Sequence, residues 1–151
     1  MKGYIICIGN RFVSEDAAGP AVFDRLEEMQ SLPAEIKIIE GGLAGLNLLP
    51  LLELGGRVVF VDAVSGFTQP GEIILLSSRD ILNTFEKTHF DHGAGLAYLL
   101  AVLPRVCDGV MPEEIVLVGV EGKYTAETIE RAAGLSVSIA VHGLTCISNA
   151  D

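Results

Sequence analysis

The sequence predicts an α/β domain with a mainly parallel β-sheet and helices on both faces of the sheet. Two observations support this prediction. Strand-like and helix-like segments alternate along the chain, and most of the strand-like segments are continuous apolar runs, which is typical of strands covered on both faces. The chain has 151 residues, enough for one domain and too few for two. We therefore expect residues 1–151 to form a single domain.

The first strand and the first helix follow from their apolar patterns. Residues 4–8 form a short apolar run that ends at a Gly-Asn pair, which predicts a buried strand. Residues 17–30 are predicted to be a helix. The spacing of Val22, Leu26 and Met29 marks the buried side of that helix.

A second strand, a second helix and a third strand come next. We predict a strand over residues 35–40 and a helix over residues 43–54, which Pro50 should bend or restart. Arg57–Val64 is the clearest strand in the sequence. It is apolar and β-branched, with a single acid, Asp62, near its end.

The second half of the chain continues the alternation. The predicted elements are a strand at 72–76, a short helix at 79–85, a helix at 95–106, a strand at 114–120, a helix at 126–133 and a terminal helix at 135–147. The β-branched residues of the last segment weaken its helical pattern.

Charge and cysteine content exclude several classes of protein. The 10 Lys and Arg residues against 20 Asp and Glu residues give a net charge of −10, which disfavours nucleic acid and anionic membranes as partners. Cys7, Cys107 and Cys146 form neither a disulfide framework nor a thiolate zinc motif. The N-terminus lacks the pattern of a signal peptide, and no apolar run approaches the roughly 20 residues of a membrane span. We expect a soluble, cytoplasmic protein.

The first candidate site residues follow the first strand. Gly9 and Asn10 lead into a loop that carries Glu15 and Asp16, with Gly19 just beyond. Acids at this position also cap the N-terminus of a helix, so capping is the simpler interpretation of the loop taken alone. The glycine pattern is neither G-x-G-x-x-G nor a P-loop, which argues against a dinucleotide or nucleoside triphosphate site.

Further candidates are an acid and two histidines. Burying Asp62 in so apolar a strand is unfavourable unless the carboxylate is paired, hydrogen-bonded or metal-bound, so we interpret Asp62 as functional. His89 and His92 flank Asp91 just before a predicted helix. Neutral imidazole is a common ligand of nickel and zinc, although a histidine at a helix entry can equally bind backbone. His142 has no acid nearby in the sequence, so we interpret it as structural.

These candidates are expected to converge. In open α/β sheets the ligand site lies at the carboxyl ends of the strands, so an acid of the first loop, Asp62 and a later His would meet at one edge. Two carboxylates and an imidazole suit a divalent ion such as nickel, manganese or zinc. The glycine-rich residues 40–45 let backbone pass close to a ligand, or form a plain turn. The sequence has neither H-E-x-x-H nor G-x-S-x-G, which disfavours a helix-borne zinc peptidase and a serine nucleophile.

The chain resembles the [NiFe]-hydrogenase maturation endopeptidases in several segments that occur in the same order. The matching segments are Gly9-Asn10 with Glu15-Asp16 and Gly19, EGGLAG from Glu40, VDAV at Asp62, HGAGL from His92, LVGVE at 117–121, and Gly134-Leu135-Ser136. Each motif is weak alone, whereas the full set in register is specific and spans nearly the whole chain.

The resemblance implies a three-layer α/β/α sandwich with a five-stranded twisted sheet. It also implies an enzyme that cuts a C-terminal extension from the hydrogenase large-subunit precursor after nickel insertion. By motif, the family's metal-contacting residues fall on Asp16, Asp62 and His92, with Glu15 as a neighbour rather than a ligand. Arg11 departs from the apolar residue or proline common in the family and places a positive charge near the site.

Two chemical accounts of this resemblance stay open. Nickel contributed by the substrate would be the recognition element, and either the metal polarises the carbonyl or a water, or Asp16 or Asp62 acts as general base. The partner would be the hydrogenase large-subunit precursor, and we expect the protein to be a monomer. A maturation factor that binds the metal site without cutting is the alternative. A small-molecule hydrolase or nucleotide-binding protein is disfavoured by the missing phosphate loop.

Overall fold

The computed structural model describes residues 2–43, 45–84 and 93–148, and they build one five-stranded sheet. The strands are β1 (Gly3–Ile8), β2 (Ile36–Gly42), β3 (Arg57–Val64), β4 (Ile73–Ser77) and β5 (Glu114–Glu121). Their order across the sheet is β2-β1-β3-β5-β4. All neighbours are parallel except β4, which is antiparallel to β5. The predicted mainly parallel sheet is therefore confirmed.

Helices and 3-10 segments connect the strands. The α-helices are α1 (Ala18–Glu28), α2 (Ser78–Thr84), α3 (Gly93–Val106), α4 (Ala126–His142) and α5 (Thr145–Ser148), and the 3-10 segments are Ser14–Asp16 and Leu46–Glu53. Among the described residues no helix is long and apolar enough to cross a lipid bilayer.

The sheet is covered on both faces. Ile5 and Cys7 of β1 pack towards α1 and α4, whereas Ile6 and Ile8 pack towards the second 3-10 segment, α2 and α3. Successive side chains of a strand point to opposite faces, so a strand with helices on both sides needs an apolar residue at every position. This confirms the three-layer α/β/α arrangement and explains the continuous apolar run of β1.

Residues 126–142 form one unbroken helix, where we expected a break at Gly134. We predicted separate helices at 126–133 and 135–147, but α4 runs without a break from Ala126 to His142. Gly134 lies within it. The buried side chains on either side of Gly134, among them Ile129 and Ile139, hold the helix against the sheet and outweigh the weak helix propensity of glycine. Gly143 follows the last residue of the helix, and its φ of +87° suits glycine.

The helix predicted at 43–54 is a 3-10 helix rather than an α-helix. It covers Leu46–Glu53 and contains Pro50. Proline has no N–H to donate and its ring clashes with the preceding turn of an α-helix, which favours the tighter winding here. Leu48 and Leu52 are buried, so the segment still covers the sheet as expected.

The strand order defines where a site can form. The chain leaves β1 for β2 at one edge and then returns to β3 on the other side of β1. β1 and β3 are neighbours at the centre of the sheet, and the segments that follow them run towards opposite edges. Open α/β sheets bind ligands at such a point, outside the carboxyl ends of the strands.

Candidate functional site

The loop after β1 folds back on itself and fixes Asp16. The backbone N–H of Asn10 donates to the Oδ2 atom of Asp16 and to its backbone oxygen, both at 3.0 Å. The N–H of Asp16 in turn donates to the carbonyl oxygen of Val13 at 2.9 Å. Asp16 is half-buried. Its carboxylate is therefore oriented by a backbone donor of its own loop, the N–H of Asn10.

Two glycines allow this loop and α1 to lie so close to β1. Gly9 has a φ of +143°, and a Cβ atom there would lie 2.3 Å from the backbone oxygen of Asp16. At Gly19 a Cβ atom would lie 1.9 Å from the backbone oxygen of Ile8. A side chain at either position would push the start of α1 away from the end of β1.

Asp62 lies near the carboxyl end of β3 with only 2% of its surface exposed. Phe60 and Val64, two residues to either side, pack in the cluster on the α2 and α3 side, and strand alternation puts Asp62 on that side too. The N–H of Ala63 donates to its Oδ1 atom at 2.8 Å. A buried carboxylate needs such donors, because its desolvation is otherwise strongly unfavourable.

The structure brings the elements that carry the two predicted carboxylates together. The 3-10 turn Ser14–Asp16 contacts β3, the strand that carries Asp62. His89 and His92 lie outside the described residues, so the imidazole ligand stays a prediction. Within residues 2–43, 45–84 and 93–148, no three His, Cys, Asp or Glu residues are grouped as a metal site.

Arg11 ties the first loop to two other elements. Its guanidinium donates to Asp24 of α1 at 3.1 and 3.3 Å and to Glu40 of β2 at 3.1 Å. The hydrogen bonds to Asp24 and then to Glu40 raise the pKa of Arg11 above its ordinary value. The positive charge noted in the sequence is therefore matched by two carboxylates, and it braces the loop that carries Asp16.

A cleft of about 270 Å³ opens beside this loop. One wall is formed by residues 9–12 and the other by Glu40, Gly42 and Leu43. Phe12 is 90% exposed and Leu43 is 60% exposed, so apolar surface faces solvent on both sides. The carboxyl end of β2 and Leu43 thus form one wall of a cleft beside the loop that carries Asp16.

Glu121 has a site role that the sequence analysis did not assign. It ends β5, is 4% exposed, and its Oε1 atom accepts the N–H groups of Phe67 at 2.7 Å and Thr68 at 2.9 Å. It thereby fixes the loop that follows β3 and Asp62. The available signal was the same as for Asp62, an acid at the end of an apolar run, but its partners are more than 50 residues away.

Cys7 is a core residue rather than a nucleophile. Burial, then the negative charges of Glu40 and Asp24, raise the pKa of its thiol to about 12. The thiolate is the reactive form of cysteine, so Cys7 is inert at neutral pH. Cys107 and Cys146 are only partly buried, and, like Cys7, they are free thiols.

The sequence matches the family model described as "HycI: Hydrogenase maturation protease" over residues 20–143. The chain is 29% identical over 140 residues to the hydrogenase 2 maturation protease of Escherichia coli (strain K12), covering 92% of this chain and 82% of that relative. It is 30% identical over 102 residues to the hydrogenase 3 maturation protease of the same strain, covering 66% of this chain and 63% of the relative.

Solved structures have the same fold. The hydrogenase maturating endopeptidase HybD from Escherichia coli superimposes with a TM-score of 0.74 at 24% identity, covering 97% of this chain and 94% of the other. The [NiFe] hydrogenase maturation protease HycI from Thermococcus kodakarensis KOD1 superimposes with a TM-score of 0.67 at 26% identity, covering 93% and 90%. The similarity extends over nearly the whole length of each chain.

Proposed function

Because the chain belongs to the hydrogenase maturation protease family, we propose that it is an endopeptidase that removes the C-terminal extension of a [NiFe]-hydrogenase large-subunit precursor once nickel has been inserted. One observation supports this proposal most directly. The turn that carries Asp16 contacts the strand that carries Asp62, so two acids far apart in sequence come from adjoining elements at the carboxyl ends of the central strands. A protein of this kind would act in the cytoplasm, as a monomer.

Nickel enters this proposal as part of the substrate. Asp16, Asp62 and His92 would contact it, and carboxylate oxygens with a neutral imidazole suit a divalent ion of this kind. Each of the two carboxylates accepts a backbone N–H. An ionised carboxylate has about four acceptor positions, so these bonds orient the group and are compatible with metal contact.

We call the sheet edge that carries Asp16 and Asp62 the carboxylate rim. The chemistry at this rim has two forms. In the first, the substrate's metal polarises the scissile carbonyl or a water molecule. In the second, Asp16 or Asp62 takes a proton from the attacking water as general base. Both need the same two carboxylates in a fixed orientation. In both, cleavage depends on the metal, and the enzyme works as a checkpoint on nickel insertion.

Replacing Asp62 tests the proposal. Asp62→Asn keeps an oxygen that can accept from the N–H of Ala63 but removes the charge, so we expect an intact fold and loss of precursor cleavage by at least about a hundredfold. The measurement is the intact mass of a nickel-loaded precursor after incubation, with circular dichroism as the check on folding. Asp108→Asn is the matched control, because Asp108 is exposed and outside the rim.

Three outcomes would count against the proposal. Undiminished cleavage by the Asp62→Asn protein would remove that residue from the chemistry. Equal cleavage of nickel-loaded and nickel-free precursor would contradict the checkpoint. Binding of the nickel-loaded precursor by the unaltered protein without any change in mass would favour the alternative, a maturation factor that does not cut.

A further inference from the structure

The outer edge of β2 carries unpaired backbone groups. β2 lies at one edge of the sheet and, within the part of the chain that the structure describes, pairs only with β1. The N–H of Gly3 donates to the carbonyl of Glu35. In a parallel ladder, the backbone N–H and C=O groups of successive residues point alternately to the two sides of the strand. The backbone groups of Lys37 and Ile39 therefore point towards β1, and those of Ile38 and Glu40 point towards the free edge. No described residue hydrogen-bonds the outward N–H and C=O groups of Ile38 and Glu40, which leaves a template for another strand.

This edge leads into the cleft beside Asp16. The carboxyl end of β2 supplies Glu40 and Gly42 to one wall of the cleft, followed by Leu43. At Gly42 a Cβ atom would meet nothing within 4 Å, so space is open next to the backbone. The exposed rings and branches of Phe12 and Leu43 offer apolar contact to a side chain that enters there.

Position in the sheet favours this edge over the edge at β4. β2 lies next to β1, whose loop carries Asp16, and two strands from β3. β4 lies two strands from β3 and three from β1. Strands are about 4.8 Å apart, so a chain paired to β2 would lie about 14 Å from β3, a distance that roughly four extended residues cover.

We propose that the precursor segment next to the scissile bond binds as an additional strand on the free edge of β2, pairing with the backbone of Ile38 and Glu40. About four residues further along, that segment crosses the end of β1 and reaches the carboxylate rim. Main-chain pairing of this kind supplies affinity, and the cleft between Phe12 and Leu43 selects an apolar side chain. This inference rests on the proposed function and names how the same site holds its substrate.

Proline substitution tests the pairing with a matched control. Ile38→Pro removes the outward N–H and leaves the bonds to β1, whereas Ile38→Ala removes the side chain and keeps the N–H. We expect kcat/KM for nickel-loaded precursor to be about threefold to tenfold lower in the proline variant than in the alanine variant, because one hydrogen bond is lost. Most of this decrease should come from a higher KM. Thermal unfolding of both variants controls for stability.

Hydrogen exchange gives a second readout that needs no variant at β2. In the Asp62→Asn protein, saturating precursor should slow amide exchange at Ile38 and Glu40. Unchanged exchange at both, or equal kcat/KM for the two Ile38 variants while the unaltered protein cleaves, would overturn the β2 assignment and leave the proposed function standing. No cleavage by the unaltered protein would instead contradict the function. If Ile38→Pro does not fold, the exchange measurement decides.

Discussion

At the scale of single residues, both candidate catalytic acids are oriented by backbone donors close to them in sequence. Asn10 N–H binds Asp16 from six residues away, and Ala63 N–H binds Asp62 from the next residue. Local donors of this kind keep a carboxylate in place whether or not a ligand is present. The site can therefore be preorganised before the precursor binds, which reduces the entropy lost on binding.

Cys7 predicts how stability depends on alkaline pH. Its pKa is about 12 in the folded protein against an ordinary 9.0, so the unfolded chain loses this proton first. The stabilisation is full below pH 9 and is lost as pH rises towards 12, by about 1.4 kcal/mol near pH 10. We expect urea unfolding to show this loss in the unaltered protein and not in Cys7→Ala. Parallel pH profiles for the two proteins would contradict the assignment.

The residue scale also shows where sequence reasoning stops. Asp62 could be selected as a candidate because it is a lone acid near the end of an apolar run, a feature readable from neighbouring residues. Glu121 ends a similar run, but its role depends on the loop at 67–68 folding back to it, which local sequence does not encode. The ligand role of His92 stays a prediction.

At the scale of elements, the bounds of most strands and helices could be predicted where apolar residues are continuous or recur at a regular spacing. β3 was predicted at its observed bounds, Arg57–Val64, because its apolar residues are continuous and β-branched. α4 was divided wrongly at Gly134, since local propensity cannot register that the sheet holds the helix on both sides of the glycine. The antiparallel direction of β4 was also unreadable, because direction depends on how the chain returns to the sheet.

The unbroken α4 gives a prediction of increased stability. Gly134 is exposed inside the helix, and a Cβ atom there would meet nothing within 4 Å. Gly134→Ala should therefore raise the free energy of unfolding by about 0.5–1 kcal/mol and leave precursor cleavage unchanged. Gly143→Ala is the control, because its φ of +87° is unfavourable for alanine, and this variant should be less stable. A destabilised Gly134→Ala protein would mean that α4 is interrupted.

At the scale of the whole molecule, the sheet lies between two apolar clusters, one on each face. We expect the two clusters and the sheet to unfold together as one cooperative unit. Ile5 belongs to the cluster on the α1 and α4 side and Ile6 to the cluster on the α2 and α3 side, and both are fully buried. The sequence predicted helices on both faces. It could not assign each helix to a face, because that depends on the strand order.

Removing one methyl group from each cluster tests this cooperativity. Ile5→Val and Ile6→Val should each lower the free energy of unfolding by about 0.5–1.5 kcal/mol. Because the side chains lie on opposite faces, the double variant should show the sum within about 0.5 kcal/mol. Near- and far-ultraviolet circular dichroism should follow one transition in denaturant. Two separate transitions would show that the layers unfold independently.

The strand order has a consequence for the timing of synthesis. Both carboxylates have been translated once the ribosome passes residue 62, yet β3 has only β1 beside it until β5, at Glu114–Glu121, is made. A nascent chain thus carries its acids for a long stretch of translation on an incomplete sheet. On the proposed function, we expect a stalled chain that lacks β5 to be inert towards precursor, so that the peptidase cannot act before its own sheet is complete.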